Sequence, residues 1–322
     1  MRAAVRTRYG PPDVVRVLDV DPPRVGDGDV LVRVHATTVN RTDCAYRAGT
    51  PFPVRLLTGF PRPRVQVLGT EFAGVVERTG PAVTRFSTGQ RVFGYVEGRF
   101  GAHAELLAVA GSASVALLPP GVGFAEGAAA TEGAHYALAM ARVARVARGQ
   151  RVLVLGATGA IGSAAVQLLA AGGVRVTAVA PGHREAVEAL GADRVVTARA
   201  EDVVADGTRF AAVFDAVGRS TFGRCRDLLE PRGVYTSSEL GPRGQNVGLA
   251  LLSPLSPGRR VRFPFPRHDQ AMVGRIADLL GSGRFRPLLD PRRFGLAEIT
   301  EAHRYAGSGR KTGSVVVQVA EG

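Results

Sequence analysis

Cysteine is scarce in this 322-residue sequence, and long hydrophobic runs are missing. Cys44 and Cys225 lie far apart and outside any CxxC spacing, which excludes a disulfide framework and a cysteine-rich zinc site. The longest near-apolar runs, such as 164–174, are too short to span a bilayer, and the first residues alternate between apolar and polar. The sequence therefore predicts a cytoplasmic protein without a membrane partner.

Lysine is almost absent, because Lys311 is the only one, yet basic residues outnumber acidic residues by 41 to 28 and give a net charge of +13. An excess of this size raises the question of a nucleic-acid partner. The arginines, however, are scattered singly through every predicted element, without a basic stripe or interleaved aromatic residues. We interpret the charge as a compositional bias and predict no nucleic-acid partner.

Two different patterns follow one another along the chain. Short strand-like runs broken by glycine and proline, such as "VLVRVHATTVN", predict a β-rich domain first. From residue 122 helix and strand patterns alternate, which predicts a parallel sheet with right-handed crossovers. The patterns predict strands over 152–155 and 174–179, helices over 125–145, 161–171, 185–190, 222–230 and 269–280, and a Pro- and Gly-rich loop over 241–258.

A glycine-rich corner, "GATGAIG" (156–162), lies between the first of these strands and the helix after it. Glycines allow the backbone to turn tightly there and allow a pyrophosphate to approach the N–H groups at the helix start, where the helix dipole also favours an anion. The strand–corner–helix context, with a second strand about a dozen residues later, indicates a dinucleotide-binding site rather than a simple turn.

The end of the second strand predicts which dinucleotide is bound. A carboxylate usually takes the ribose hydroxyls of NAD there, and this chain has Ala180, Pro181, Gly182, His183 and Arg184 instead. Arg184 is placed to pair with a 2′-phosphate, and His183 to add a hydrogen bond, which favours NADPH. The alternative is that Arg184 only begins the next helix on a solvated face.

The order of these patterns, with "GATGAIGSAAVQLL", "LGADRVV", "FDAVG" and "EAHRYAGSGRKTGSVVVQV", resembles the medium-chain dehydrogenase/reductase superfamily, and within it the zinc-free quinone oxidoreductase-like branch. The resemblance implies an α/β fold: a GroES-like β-rich catalytic domain (1–121, completed by 263–322) and a doubly wound Rossmann sheet (122–262), meeting at a cleft. It also implies a homodimer that pairs edge strands near "RRVRFPF", although Pro264 and Pro266 would interrupt the pairing.

The resemblance also bears on zinc. At the positions of the three zinc ligands of the zinc-bearing members, this chain has Asn40, Thr70 and Glu132. Asn and Thr are poor zinc ligands, and Glu132 alone cannot hold the ion, so we predict no metal. In the zinc-free branch the residue at the place of Asn40 lies close to the nicotinamide, and a Thr commonly stands where this chain has Tyr136.

We therefore assign candidate catalytic roles to Asn40, Glu132 and Tyr136. Glu132 and Tyr136 are four residues apart and share a helix face, so a carboxylate and a phenol could deliver a proton together. The alternative is that Glu132 forms an ion pair with an arginine and Tyr136 packs. Asp43 and Glu71 are expected to hold loops through hydrogen bonds and an arginine partner.

The predicted cofactor site contains the glycine-rich corner, the end of the second strand, and the turn and strand end expected at the nicotinamide half. Its residues are Asn40, Gly156, Ala157, Thr158, Gly159, Ala160, Ile161, Ala180, His183, Arg184, Asp215, Ala216, Val217, Ser237 and Ser238.

These features predict an NADPH-dependent, zinc-independent reductase that transfers a hydride to a quinone or to an α,β-unsaturated carbonyl compound. Both acceptors are conjugated electrophiles that stack on a nicotinamide, and the sequence does not separate them. Two alternatives remain: a pathway-specific enzyme with non-redox chemistry in the same cleft, and a dinucleotide-sensing or nucleic-acid-associated binding protein.

Overall fold

The computed structural model describes residues 1–197, 203, 207–253 and 258–320. Its strands are β1 (Arg2–Val5), β2 (Arg16–Asp19), β3 (Asp29–Val39), β4 (Glu71–Thr79), β5 (Arg91–Tyr95), β6 (Leu106–Ala110), β7 (Ser114–Leu117), β8 (Arg151–Leu155), β9 (Arg175–Val179), β10 (Arg194–Val196), β11 (Phe210–Asp215), β12 (Leu229–Ser237), β13 (Arg260–Val261), β14 (Leu289–Gly295) and β15 (Ser314–Gln318).

The α-helices are α1 (Arg41–Ala48), α2 (Pro53–Thr58), α3 (Phe124–Ala129), α4 (Thr131–Ala144), α5 (Ala160–Ala171), α6 (Arg184–Glu188), α7 (Phe222–Cys225), α8 (Gln245–Leu252), α9 (Gln270–Gly281) and α10 (Ile299–Gly307). No helix within the described ranges is long and apolar enough to cross a membrane.

The chain forms two compact units. Unit 1 comprises Met1–Thr131, His268–Ser282 and Leu289–Gly322, and unit 2 comprises Glu132–Arg267 and Gly283–Leu288. The domain limits drawn from the sequence stay a prediction, because compactness alone does not assign a function to each part.

Unit 1 is built on a seven-stranded sheet in the order β14-β15-β3-β4-β5-β7, with β6 also paired to β3. All pairs are antiparallel except β14 with β15. Two strands pair with the same edge of β3, since β6 pairs with its residues 29–33 and β15 with its residues 36–39. The alternating valines of β3, Val30, Val32 and Val34, are fully buried and place β3 in the core of the unit.

Unit 2 contains a six-stranded sheet, β10-β9-β8-β11-β12-β13, in which every pair is parallel. This order matches a doubly wound nucleotide-binding sheet, in which ligands bind at the carboxyl ends of the strands. Continuous apolar runs such as "RVLVL" form these strands because helices cover both faces of a parallel sheet. The predicted α/β class with a parallel sheet is confirmed.

Three predicted elements differ from the structure. The helix over 125–145 is two helices, α3 and α4. The helix predicted over 222–230 is shorter in the structure, because α7 covers Phe222–Cys225, a 3-10 turn covers Arg226–Leu228, and β12 begins at Leu229. Leu229 is buried in the core, and Pro231 disfavours helical backbone at the residue before it. The loop over 241–258 contains α8, and its residues 254–257 lie outside the described residues.

Candidate functional site

The glycine-rich corner joins the carboxyl end of β8 to α5. Gly156 has a φ of 77°, and a Cβ there would lie 2.4 Å from Val217 Cγ1. A Cβ on Gly162 would lie 2.1 Å from the Gly156 carbonyl oxygen. Only glycine fits at these two positions, because one requires a left-handed backbone and the other a contact with main chain.

The start of α5 presents main-chain donors. The helix is twelve residues long, and Gly159 at its N-cap offers no side chain to bond the amides of the first turn. Thr158, Ala160 and Ile161 are partly exposed, whereas Ala157 is buried and its N–H donates to Val179 O at 3.2 Å. The arrangement fits the pyrophosphate of a dinucleotide.

The end of β9 carries no carboxylate, as the sequence predicted from Ala180. Ala180 is buried, and its N–H donates to Val196 O at 2.9 Å. His183, with a φ of 53°, precedes α6, and Arg184 is the first residue of that helix. The Arg184 side chain is 53% exposed and pairs with Glu188 at 3.1 Å, so it begins a helix on a solvated face and remains accessible to an anion.

The turn after β11 is organised by one buried carboxylate. Asp215 accepts hydrogen bonds from the amides of Val217 (3.2 Å), Gly218 (2.8 Å) and Ser220 (3.1 Å), and from the Tyr235 hydroxyl (2.9 Å). Burial and the Asp215 charge raise the pKa of Tyr235, so the phenol stays a donor. The carboxylate thus holds the turn, in which Ala216 is buried and Val217 is half-buried.

The end of β12 contributes two serines with different surroundings. Ser237 Oγ accepts from the Glu239 amide at 3.1 Å. Ser238 Oγ is buried and has no hydrogen-bond partner among the described residues. An orphaned hydroxyl beside the ligand end of a parallel sheet fits a site in which a bound molecule supplies the partner.

Asn40 belongs to unit 1 and caps α1. Its Oδ1 accepts from the Asp43 amide at 2.8 Å, the Asp43 carboxylate accepts from the Asn40 amide at 3.2 Å, and Nδ2 donates to Thr70 Oγ1 at 2.7 Å. This reciprocal capping box fixes the side chain, and one N–H of its amide is not used by these bonds.

Two acidic residues hold the loops of unit 1 through hydrogen bonds, and the expected arginine partner stays a prediction. Asp43 also accepts from the Gly69 amide at 3.2 Å, and Glu71 accepts from the hydroxyls of Thr38 (2.5 Å) and Thr131 (2.7 Å). Burial raises the pKa of Asp43 well above its usual value, against the lowering effect of the Asn40 and Gly69 amides.

The positions expected to hold zinc in related proteins contain neutral groups in unit 1. Asn40 and Thr70 bond each other, and across the described ranges no group of three or more His, Cys, Asp or Glu side chains is arranged to hold a metal ion. Glu132, the third position, belongs to unit 2.

Glu132 and Tyr136 lie on α4, four residues apart on one helix face. Glu132 is buried, Tyr136 is half-buried, and the Tyr136 ring lies 4.7 Å from that of His135. A Cβ on Gly133 would lie 2.6 Å from Ala160 O, so the first turn of α4 packs directly against the first residue of α5. Unit 2 therefore brings the candidate acid pair to the same end of α5 as the glycine-rich corner.

Sequence reasoning missed a polar cluster in unit 1. The Glu97 carboxylate accepts from the hydroxyls of Tyr46 (3.4 Å) and Tyr95 (2.9 Å), and His268 Nε2 lies 3.6 Å from it. Burial and Glu97 raise the pKa of Tyr46 to about 12. These residues come from three separate segments, and no spacing in the sequence indicates that they meet.

Comparison with known proteins agrees with this architecture. Residues 26–139 match the family model of the alcohol dehydrogenase GroES-like domain, and residues 190–317 match that of zinc-binding dehydrogenases. The chain is similar in fold to a quinone oxidoreductase from Coxiella burnetii, with a TM-score of 0.87 at 24% identity and 99% of both chains covered. The predicted pairing of a GroES-like domain with a Rossmann-like domain is confirmed.

Curated relatives resemble the chain over nearly its whole length. A quinone oxidoreductase of Pseudomonas aeruginosa is 31% identical, covering 96% of this chain and 97% of the relative. A 2-methylene-furan-3-one reductase of Solanum lycopersicum is 30% identical (98% and 79%), and a chloroplastic NADPH-dependent alkenal/one oxidoreductase of Arabidopsis thaliana is 29% identical (98% and 79%).

Proposed function

This chain is an oxidoreductase that belongs to the quinone oxidoreductase-like branch of the medium-chain dehydrogenase/reductase superfamily, and we propose that it is an NADPH-dependent, zinc-independent reductase of quinones or α,β-unsaturated carbonyl compounds. The observation that carries the cofactor choice is the end of β9: Ala180 replaces a carboxylate, and Arg184 stands exposed at the start of α6. The names of the Pseudomonas and Arabidopsis relatives support the two acceptor classes.

NADPH, when bound, supplies the hydride; the residues of this chain orient it and exclude competing reactions. The backbone of Thr158 and the first amides of α5, on Ala160 and Ile161, would take the pyrophosphate, and Gly156, Ala157 and Gly159 shape the corner. Arg184 and His183 take the 2′-phosphate. The turn fixed by Asp215 and the hydroxyls of Ser237 and Ser238 would serve the nicotinamide half.

Proton delivery is assigned to α4. Tyr136 would donate its phenolic proton to the reduced acceptor, and a protonated Glu132, buried on the same helix, would then restore that proton. Tyr136→Phe and Glu132→Gln separate this role from packing. Loss of a donor lowers turnover and leaves NADPH affinity unchanged, whereas loss of packing or of an ion pair lowers thermal stability. If both variants turn over at the wild-type rate, the proposed proton donors are wrong and solvent must supply the proton.

Zinc independence follows from the chemistry of Asn40 and Thr70. A neutral amide and a neutral hydroxyl that bond each other offer no thiolate or imidazole to a zinc ion. Activity that survives a chelator, with substoichiometric zinc by elemental analysis, is the expected result. One tightly bound zinc per chain would overturn the assignment.

We further propose a cytoplasmic homodimer, for which the two isolated cysteines and the edge position of β13 are the supporting features. β13 has only two residues, Arg260–Val261, and Pro264 and Pro266 follow it, so the pairing would be short. Light scattering at micromolar concentration tests this, and a monomeric mass would count against it.

The decisive experiment measures NADPH and NADH oxidation with a panel of quinones, enals and enones, and the affinity of both dinucleotides for Arg184→Ala. Loss of a charge-assisted pair should weaken NADPH about tenfold and leave NADH unchanged. Arg175→Ala, at the opposite end of β9, is the matched control. Equal wild-type affinity for the two dinucleotides would refute the NADPH assignment. Tight binding without oxidation by any acceptor would favour the non-redox and binding alternatives.

A further inference from the structure

Unit 1 buries two arginines close to two histidines. Arg6 is 1% exposed and Arg47 is 8% exposed, while His103 and His303 are fully buried. The two imidazole rings lie edge to face with centroids 5.5 Å apart. Buried cations normally pair with carboxylates, so the surroundings of these guanidinium groups are informative.

Main-chain carbonyls satisfy only part of the two guanidinium groups. Arg6 donates through Nη1 to Tyr46 O and through Nη2 to Val65 O at 3.4 Å, and its Cζ lies 5.0 Å from the centre of the Tyr9 ring. Arg47 donates through Nε to Gly10 O at 3.2 Å. Arg6 Nε, Arg47 Nη1 and His303 Nε2 are buried with no hydrogen-bond partner among the described residues.

Electrostatics tie these groups into one cluster. The pKa of Arg6 is lowered to about 10, chiefly by burial, with the Arg47 charge lowering it further. Burial, His103 and the two arginines together hold the pKa of His303 well below its usual value. The Asp43 carboxylate raises the pKa of Arg6 and so opposes the effects of burial and of Arg47. Burial, however, disfavours the ionisation of Asp43, and its oxygens already accept from the Asn40 and Gly69 amides. The cluster is therefore short of negative charge.

We propose that this cluster binds a small inorganic monovalent anion of the chloride type, held by Arg6 Nε, Arg47 Nη1 and His303 Nε2. With the proton of His303 on Nε2, one monovalent anion would satisfy all three donors and compensate one of the two buried positive charges. A small ion suits the site because all four side chains are at least nine-tenths buried. The site is separate from the proposed nucleotide site, whose residues, apart from Asn40, lie in unit 2.

One acceptor limits the extent of the anion site. His103 donates Nε2–H to Thr38 O at 2.8 Å and has its pKa lowered to about 4 by burial, so its Nδ1 carries a lone pair. That lone pair favours a water molecule rather than an anion as its neighbour. The alternative to an anion is therefore that water molecules bond all of the unpartnered buried atoms of this cluster.

Crystals of the full chain grown in sodium bromide test the proposal directly. An anomalous peak in contact with Arg6 Nε and Arg47 Nη1 is expected. In solution, the melting temperature should rise saturably, by about 2 to 4 °C, when sodium chloride replaces sodium isethionate at constant ionic strength. Only water at the cluster in the bromide crystals, or equal melting temperatures in the two salts, would overturn the proposal.

Two variants separate this site from other anion effects. Arg47→Met should remove the chloride response. Arg55→Met is its matched control, because Arg55, like Arg6, lies against the Tyr9 ring, bonds the carbonyls of Gly49 and Ala48, and has no buried unpartnered donor. Arg184→Ala should keep the full response, which distinguishes the cluster from chloride competing at a 2′-phosphate site. If Arg47→Met does not fold, the bromide position in the wild type decides.

Discussion

In unit 2 the buried carboxylate of Asp215 is satisfied by three amides of its own turn and by a phenol on the neighbouring strand. In unit 1 Glu71 accepts from Thr38 and Thr131, and His103 donates to Thr38. The polar groups around Asp215 are thus paired with nearby parts of the chain, and those around Glu71 and His103 with residues far apart in the chain. The local bonds of Asp215 fix the backbone of one turn. The distant pairing in unit 1 buries His103, and burial makes protonation of this imidazole unfavourable.

The largest effect is expected from Asp215→Ala. The substitution leaves three amides and one hydroxyl without their acceptor, and should lower the free energy of unfolding by about 3 to 5 kcal/mol and weaken dinucleotide binding. Tyr235→Phe removes one of the four bonds and is the graded control, with a cost of about 1 kcal/mol. Denaturant titrations measure both; similar costs for the two variants would contradict local organisation by the carboxylate.

Acid should destabilise unit 1 through its buried histidines. The folded-state pKa of His103 is about 4 against an ordinary 6.5, because burial disfavours the imidazolium. The unfolded chain therefore binds more protons between these values, and stability present above pH 6.5 is lost as pH falls towards 4, by roughly 3 kcal/mol for this residue. The lowered pKa of His303 acts in the same direction.

Unfolding free energies at a series of pH values measure this dependence. In His103→Gln the side chain no longer titrates, so the loss between pH 6.5 and 4 should shrink by the contribution of His103. An unchanged acid slope in His103→Gln would show that the buried imidazole does not couple to folding.

A smaller effect is expected from Asn40. Asn40→Ala removes the cap of α1 and the bond to Thr70, at a cost of about 1 to 2 kcal/mol. Asn40→Asp keeps an acceptor for the Asp43 amide but loses the amide donor. If Asn40 also contacts the nicotinamide, both variants should lose turnover, and Asn40→Asp should keep more of the stability than Asn40→Ala. Equal turnover in the wild type and the two variants would leave capping of α1 as the role of Asn40.

The smallest effect concerns the ion pair of α6. Glu188→Gln releases Arg184 from an exposed partner at 3.1 Å, and should strengthen NADPH binding about twofold without changing NADH binding. Glu185→Gln, on the same helix, removes the same charge without removing that partner. A gain of the same size in both variants would assign the effect to net charge rather than to release of Arg184.

The sequence predicted unit 2 closely where a pattern is local. The strand over 152–155 and the helix over 161–171 lie within one residue of β8 and α5, because an apolar run and a glycine corner mark their limits. The helix predicted over 222–230 was correct only as far as Leu228, because Leu229 begins a buried strand and Pro231 follows. His103, His303 and Arg6 were not singled out as functional, since their meeting depends on tertiary packing that no spacing records.

The position of β15 between β14 and β3 bears on how the chain is made. A ribosome delivers β3 early, yet the partner of its residues 36–39 is the last strand of the described chain to emerge. Throughout translation of the parallel sheet, that half of β3 presents unpaired main-chain groups on one side, while β8 to β12 find their neighbours soon after synthesis. The parallel sheet can therefore form before β15 has been synthesised, and this half of β3 keeps an unpaired edge until then.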